Sequence, residues 1–257
     1  MSRRLPLWAG WGLALAVAGA CAALGTWQLQ RMAAKQAMLD AAARVLRERD
    51  PRPLAHAADP ARARAYDWAA GRGRFAPLPA VLLDNQNRAG RPGVRAYRVF
   101  LPVDAAAVPL LVELGWLPLP PDRRLPQVEA PALAEVRGLL LPPPSPGLAA
   151  APPARQDDGT LLAVALDPPA LAAALGLPAL APRVLRLDPD LPVGHVRDLE
   201  LLPNTLPPQR HLGYAVQWFG LAATVLAIAL VLTLRRRGRG AGTATGGDGA
   251  GVRKSPP

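Results

Sequence analysis

Two long stretches without Asp, Glu, Lys or Arg frame the chain, Leu5 to Gln30 and His211 to Leu234, and between them the apolar positions fall into short segments separated by turn residues. Each uncharged stretch exceeds the roughly 20 apolar residues that a helix needs to cross a ~30 Å hydrocarbon core. The pattern therefore predicts two membrane-spanning helices. Gln36 to Glu48 is Ala-rich and extends the first helix into a stalk, stopped by Asp50 and Pro51. Short strands are predicted at Tyr66 to Phe75, Ala80 to Leu83, Val94 to Val103, Leu110 to Leu117, Glu135 to Leu141 and Arg183 to Leu187. Asp84 to Gly93 reads as a loop, with Gly90 and Gly93 free to take positive φ. Asp167-Pro168-Pro169 predicts a cap and the opening of a short helix through Leu175, ended by Gly176. Pro142 to Pro146 and Pro203 to Pro208 read as loops or spacers, and the Gly-rich tail after Gly238 as disordered.

The fold class expected is a membrane protein of the α+β kind, two transmembrane helices flanking a β-rich antiparallel extracytoplasmic domain with one small helix. Its parts are a cytoplasmic N-terminus at 1–4, a first transmembrane helix at 5–30, a helical stalk at 31–50, a periplasmic β-rich domain at 51–210, a second transmembrane helix at 211–234 and a basic, disordered cytoplasmic tail at 235–257.

Charge sets the orientation. Arg235, Arg236, Arg237 and Arg239 follow the second helix, Arg3 and Arg4 precede the first, and positive residues near helix ends stay cytoplasmic. Both termini are expected inside, with the central domain outside. So little chain precedes the first helix that a mitochondrial transit peptide has no room, which points to a bacterial inner membrane. A cleaved signal peptide is the competing reading, with Ala18-Gly19-Ala20-Cys21 resembling a lipoprotein cleavage site. The apolar run exceeds the 7 to 15 residues of a signal core, which favours an uncleaved helix. Trp8, Trp11 and Trp27 lie near its ends, as an aromatic belt would place them.

Composition removes several function classes. The 257 residues carry a formal charge of +11, from 30 basic and 19 acidic side chains, but the only lysines are Lys35 and Lys254 and there are 31 prolines. That skew reads as a GC-rich genome. The arginines are scattered or flank a helix instead of forming one basic face with aromatics, so nucleic acid is not an expected partner. Cys21 is the single cysteine, which excludes an intramolecular disulfide, a CxxC redox pair and a dithiol copper chaperone. No nucleophile elbow, phosphate loop, HExxH or paired-carboxylate motif announces catalysis, so the chain is not expected to be an enzyme.

Two clusters at the outer helix ends could carry chemistry. Residues three, four and seven apart share a helix face, which puts His211, Tyr214 and Trp218 together on the second helix and Trp27, Arg31 and Lys35 together on the first. One reading is an aromatic and basic belt that anchors each helix in the headgroups. The other is a binding site for an amphipathic ligand. His56 and His195 read as solvated loop residues, and Trp116 as part of the domain core or of a partner contact.

Gly25-Thr26-Trp27-Gln28-Leu29-Gln30-Arg31 with Lys35 and Leu39 resembles the GxWQxxR...K...L signature after the first helix of the Surfeit locus protein 1 family. Leu83-Asp84-Asn85-Gln86, Gly90-Arg91-Pro92-Gly93 and Leu111 to Trp116 resemble its central motifs, and His211 to Phe219 resembles the HxxYAxxWF opening of its second helix. One position departs from the pattern: the family usually has Arg before the central Gly-Trp pair, where this chain has Leu114. The resemblance implies an assembly factor for haem-copper cytochrome c oxidase that assists delivery or insertion of haem a into the catalytic subunit. It implies that subunit, haem a synthase and membrane lipid as partners. Haem a has an isoprenoid tail that prefers hydrocarbon and two propionates that prefer water, so a site at the membrane surface suits both ends. The expected roles are neutral His211 as axial ligand to the haem iron, Tyr214 and Trp218 against the macrocycle, Trp27 closing the other side, and Arg31 or Arg210 pairing with a propionate. A membrane-anchored structural chaperone for oxidase subunits, without haem, is the alternative.

Overall fold

A computed structural model describes residues 6–104, 106–144, 151–193, 195–199 and 207–241. The expected N-terminal segment, most of the tail and parts of both Pro-rich joints lie outside these residues. Two compact units result, one holding residues 1–36 and 206–257, the other residues 37–205.

The first unit is a pair of helices, α1 (Leu7–Glu48, of which residues 37–48 belong to the second unit) and α3 (Pro208–Ala241). Both are long and apolar enough to cross a membrane. Helix α3 opens on Pro208, whose missing N–H costs nothing in a first turn, and it runs on through residues 235–241, which the sequence reading gave to a disordered tail. The pair is joined along a seam of small residues. Ala14, Ala18, Cys21 and Gly25 on α1 and Ala215 and Ala222 on α3 are buried, while most of the larger apolar side chains of both helices point outward. Lipid tails are as apolar as Leu, so such helices associate by close packing at small residues. Gly25 shows how close that is, because a Cβ there would lie 2.8 Å from the Phe219 ring.

The second unit is built on nine strands: β1 (Arg52–Pro53), β2 (Asp67–Phe75), β3 (Val81–Arg88), β4 (Arg91–Pro102), β5 (Leu110–Pro118), β6 (Glu135–Leu141), β7 (Ala154–Arg155), β8 (Leu161–Ala163) and β9 (Val184–Leu187), with the short helix α2 (Pro168–Leu175) between β8 and β9. Their order is β1-β2-β6-β9-β5-β4-β3-β8-β7, and β2 also pairs with β4. That extra pairing, Gly73 to Phe75 against Phe100 to Pro102, closes β2, β6, β9, β5 and β4 into a ring. The domain is β-rich as expected, but its sheet is mixed: β1–β2, β3–β8 and β5–β9 are parallel. Helix α2 has the predicted bounds, with Gly176 in the left-handed region at φ 69° as its C-cap. Two short 3-10 turns, Leu54–Ala58 and Pro60–Arg62, were not foreseen.

One apolar cluster, including Ala96, Phe100, Leu114, Val136 and Leu185, packs on one face of the sheet. A second, including Trp68, Tyr97, Leu111, Leu139 and Leu171, packs on the other and takes in Val45 and Leu46 from the end of α1. Strand β5 is consequently buried from Leu110 to Trp116, on both faces.

The stretch Asp84 to Gly93 is mostly strand, which corrects the loop expected there. Strand β3 runs to Arg88 and β4 starts at Arg91, so the turn is only Ala89-Gly90, at φ 50° and 77°, the twist that a two-residue hairpin needs. Polar residues concealed the strand because this hairpin arm exposes every second side chain to water, Asn85 and Asn87 among them. Gly93 has no positive φ. It lacks a Cβ because Trp116 lies against it, the indole Nε1 being 2.5 Å from where a Cβ would stand.

Two buried carboxylates tie chain ends to the sheet. Asp67 receives Arg183, at 2.7 Å, and Arg62. Asp188 receives Arg137 at 2.9 Å and lies 3.8 Å from Arg49. Burial raises both carboxyls, but the hydrogen bonds and charges of these arginines, with the Asp190 N–H at Asp188, outweigh it and hold both below the ordinary carboxylate value. A depressed folded-state pKa gives stability that is complete above the unfolded value of about 3.9 and is lost as pH falls through the folded one. Urea midpoints followed by Trp fluorescence should therefore be flat above about pH 5 and fall below about pH 4. Asp67→Asn should lower the plateau and flatten that fall; an unchanged acid limb would refute the assignment.

Candidate functional site

The end of the helix pair that carries Gln28 and His211 is set by its seam. Gln28 continues the α1 stripe three residues after Gly25, and His211 continues the α3 stripe four residues before Ala215, so the two polar side chains meet where the small residues end. His211 Nδ1 lies 2.8 Å from Gln28 Oε1. An amide oxygen only accepts, so Nδ1 donates in this contact; in the Nδ1–H tautomer the lone pair is on Nε2. Nε2 is buried and has no hydrogen-bond partner among the described residues. One ring nitrogen held by a side-chain acceptor, with the other left for a further partner, is the arrangement found at metal-ligating histidines. The opposite end of the seam is closed by Trp11 Nε1, which donates to Thr233 Oγ1 at 2.9 Å.

The other predicted residues fall on either side of this contact. Trp218 is half-buried and packs on Ala18, Cys21 and Ala222, so it belongs to the seam. Tyr214 is 41% exposed and Trp27 46% exposed, both outside the seam. Arg31 sits over the Trp27 ring, 5.4 Å from its centroid, a cation–π pair that fixes the guanidinium beside the helix surface. Arg210 is exposed in the first turn of α3. The structure thus brings His211 together with Gln28, and Arg31 with Trp27. Gln28 stands inside the first-helix motif, but its role needed the partner helix to be seen.

In the β-domain, the strongest electrostatic feature is a cross-strand row. Register places Tyr97 opposite Glu113, and Glu113 opposite Arg186. Glu113 accepts from Arg95 at 2.5 Å, from Arg186 Nε at 3.1 Å and from the Tyr97 hydroxyl at 3.2 Å. Burial pushes the Tyr97 phenol well above its usual range, and the Glu113 charge adds to it. All four side chains are buried, which makes the row a fastening of β4, β5 and β9.

Trp116 is buried and donates from Nε1 to Gln86 O at 3.1 Å, so it is a core residue, as one of the two sequence readings had it. Its backbone bridges to Val196, and the neighbouring Gly115, at φ 128°, has no room for a Cβ beside His195 and Arg197. His56 and His195 are half-buried, not solvated: His56 Nδ1 is enclosed without a partner, and burial lowers the His195 pKa. Leu114, the departure from the expected Arg, is 2% exposed within the first apolar cluster.

A sequence model of the SURF1 family matches residues 15–223. This chain belongs to the SURF1 family. SURF1 proteins are cytochrome c oxidase assembly factors and not a catalytic family, so the role of this chain lies in oxidase assembly. No curated protein matches it. The matched span takes in both sides of the His211–Gln28 contact, the Ala89-Gly90 hairpin and Trp116. Two helices able to cross a membrane, around a mixed-sheet domain, make this SURF1 member a membrane protein.

Proposed function

We propose that this SURF1 protein takes up haem a at the outer end of its helix pair and assists its delivery to the catalytic subunit of the oxidase. The observation that carries the reading is the His211 imidazole, with Nδ1 held by Gln28 and Nε2 buried without a partner. A buried polar atom left unpaired costs about 1–3 kcal/mol, so the pair tolerates a deficit that an iron atom would relieve. Haem would supply an iron that binds imidazole and an amphipathic macrocycle. The donor set fits it: one neutral imidazole for the metal, the exposed faces of Trp27 and Tyr214 for the ring, and the exposed guanidinium groups of Arg31 and Arg210 for propionates.

Gln28 holds the proton on Nδ1 and keeps Nε2 as the ligating nitrogen. Nε2 is covered in this conformation, so loading requires that the side chains over it give way. Trp218 serves this site through the seam, by holding α3 against Ala18 and Cys21. The Arg235–Arg237 cluster supports cytoplasmic termini and a periplasmic domain in a bacterial inner membrane.

The test is the visible spectrum of the detergent-solubilised protein from cells that make haem a. His211→Ala should lose the reduced haem a band while remaining in the membrane, and Gln28→Leu should bind haem about 10–100-fold more weakly, as loss of such an outer-shell partner does. Unchanged haem content in His211→Ala refutes the ligand assignment. A protein colourless in parent and variant alike, yet co-purifying with an oxidase subunit, would establish the alternative of a subunit chaperone without haem.

A further inference from the structure

The β-domain treats its arginines in a consistent way, with one exception. Among the described residues of this domain, Arg62, Arg88, Arg95, Arg183 and Arg186 are buried or half-buried and each is ion-paired, to Asp67, Asp198, Glu113, Asp67 and Glu113 respectively. Arg197 has no carboxylate but donates to the carbonyls of Val193, Leu191, Pro189 and Asp188. Arg98, half-buried in β4, donates to one carbonyl, Val128 O at 3.1 Å, and its Nε is buried with no partner. Arg183 and Arg197 also leave Nε unpaired, but their terminal nitrogens carry three and four other bonds. Burial lowers the Arg98 pKa with no carboxylate offsetting it.

Arg98 lines a cleft of about 400 Å³, open to solvent, whose other walls include Ala80, Val128, Glu129, Asp158 and Thr160. That volume lies within the usual range of small-ligand sites. Thr160 donates to the Asp158 carboxylate through its N–H at 2.9 Å and its hydroxyl at 3.0 Å, so this acid is bound to its own turn and does not serve Arg98. A half-withdrawn guanidinium without an anion leaves donors unused; a carboxylate entering the cleft would relieve this, and pairing with the enclosed Nε requires the Arg98 side chain to turn towards it. Glu129 and Asp158 at the rim set the charge limit on such a ligand, because they repel a dianionic phosphate more strongly than a singly charged group.

We propose that this cleft binds a carboxylate on Arg98, supplied by a small organic acid or by a polypeptide segment. The site stands on its own and does not depend on haem.

The experiment follows the Arg98 Nε–H resonance of the full chain in detergent micelles, at constant ionic strength held with chloride. The probes are acetate, succinate, inorganic phosphate, and a tetra-alanine peptide with a free C-terminal carboxylate beside its amide. A saturable shift with acetate or succinate identifies a small-acid site; one that saturates only with the free-acid peptide, and not its amide, identifies a polypeptide carboxylate. Tryptophan fluorescence detected titrations then compare variants. Arg98→Gln should weaken binding by tenfold or more and Arg98→Lys by less, since Lys keeps the charge but not the fork. Glu129→Gln should tighten it two- to fivefold by lifting rim repulsion. The proposal fails if no carboxylate probe saturates, if phosphate binds as tightly, or if a folded Arg98→Gln protein binds as the parent does.

Discussion

Glu113→Ala should destabilise the β-domain by about 3–5 kcal/mol, the usual consequence of removing one partner from a buried ion pair. Glu113 is the carboxylate between Arg95 and Arg186, and all three are buried. Without it, two guanidinium groups face each other across β4, β5 and β9 with their principal anion gone, and the Tyr97 hydroxyl loses its acceptor. Against the roughly 5–15 kcal/mol that domains of this size possess, such a loss removes about a fifth or more. Urea denaturation of the full chain, followed by Trp68 and Trp116 fluorescence, reads the effect as a lowered midpoint. A triple replacement, Arg95→Met with Glu113→Leu and Arg186→Met, removes the charges together and should return the midpoint to near the parent, because apolar residues of similar volume commonly replace buried ion clusters at little cost. If the triple variant is as unstable as Glu113→Ala, the row acts through shape and not through charge.

A second large effect is expected at Gly138. It lies in β6 opposite Leu187 of β9, one of the pairings that complete the ring. A Cβ there would collide with the Arg186 carbonyl oxygen and stand 2.9 Å from its carbon and 3.0 Å from the Asp188 N. These are backbone atoms, which cannot turn aside as a side chain does. Gly138→Ala must therefore push β6 away from β9, weakening the pairing on which Arg186 and Asp188 depend. We expect a loss of about 3 kcal/mol or more, at the upper end of overpacking effects. Hydrogen exchange localises it: amides of β6 and β9 should lose protection before those of the β3–β4 hairpin. Uniform loss of protection, or none, would show that the ring does not close through this contact.

Much of this architecture was legible in the sequence because it depends on short-range rules. An uncharged run of more than 20 residues has few fates besides a helix in lipid, and α2 was bounded at both ends by residues with local reasons to be there, Pro168 to start it and Gly176 to end it. Strand β6 was found with its observed bounds because its apolar run ends in prolines. The family motifs were read in order along the whole chain.

Position alone was not enough where meaning depends on a partner. The run Asp84 to Arg88 looks like a loop until β4 is laid beside it, and parallel pairings such as β5 with β9 join segments about seventy residues apart, which no local pattern signals. Gly93 reads as a turn residue, but the approach of Trp116 is what requires it. His211 was singled out by residue type, whereas the contact of its Nδ1 with Gln28 Oε1 exists only once two helices meet. Glu113 lies inside a family motif and Arg98 in none, yet neither role is legible there: Glu113 matters because two buried cations surround it, Arg98 because no anion does. The sequence by itself determined two membrane-length helices, the places of six of the nine strands, the bounds of α2 and the family. Tertiary structure decided which glycines are steric, which histidine nitrogen is free and which charges are paired, because these are properties of neighbours brought together across the chain.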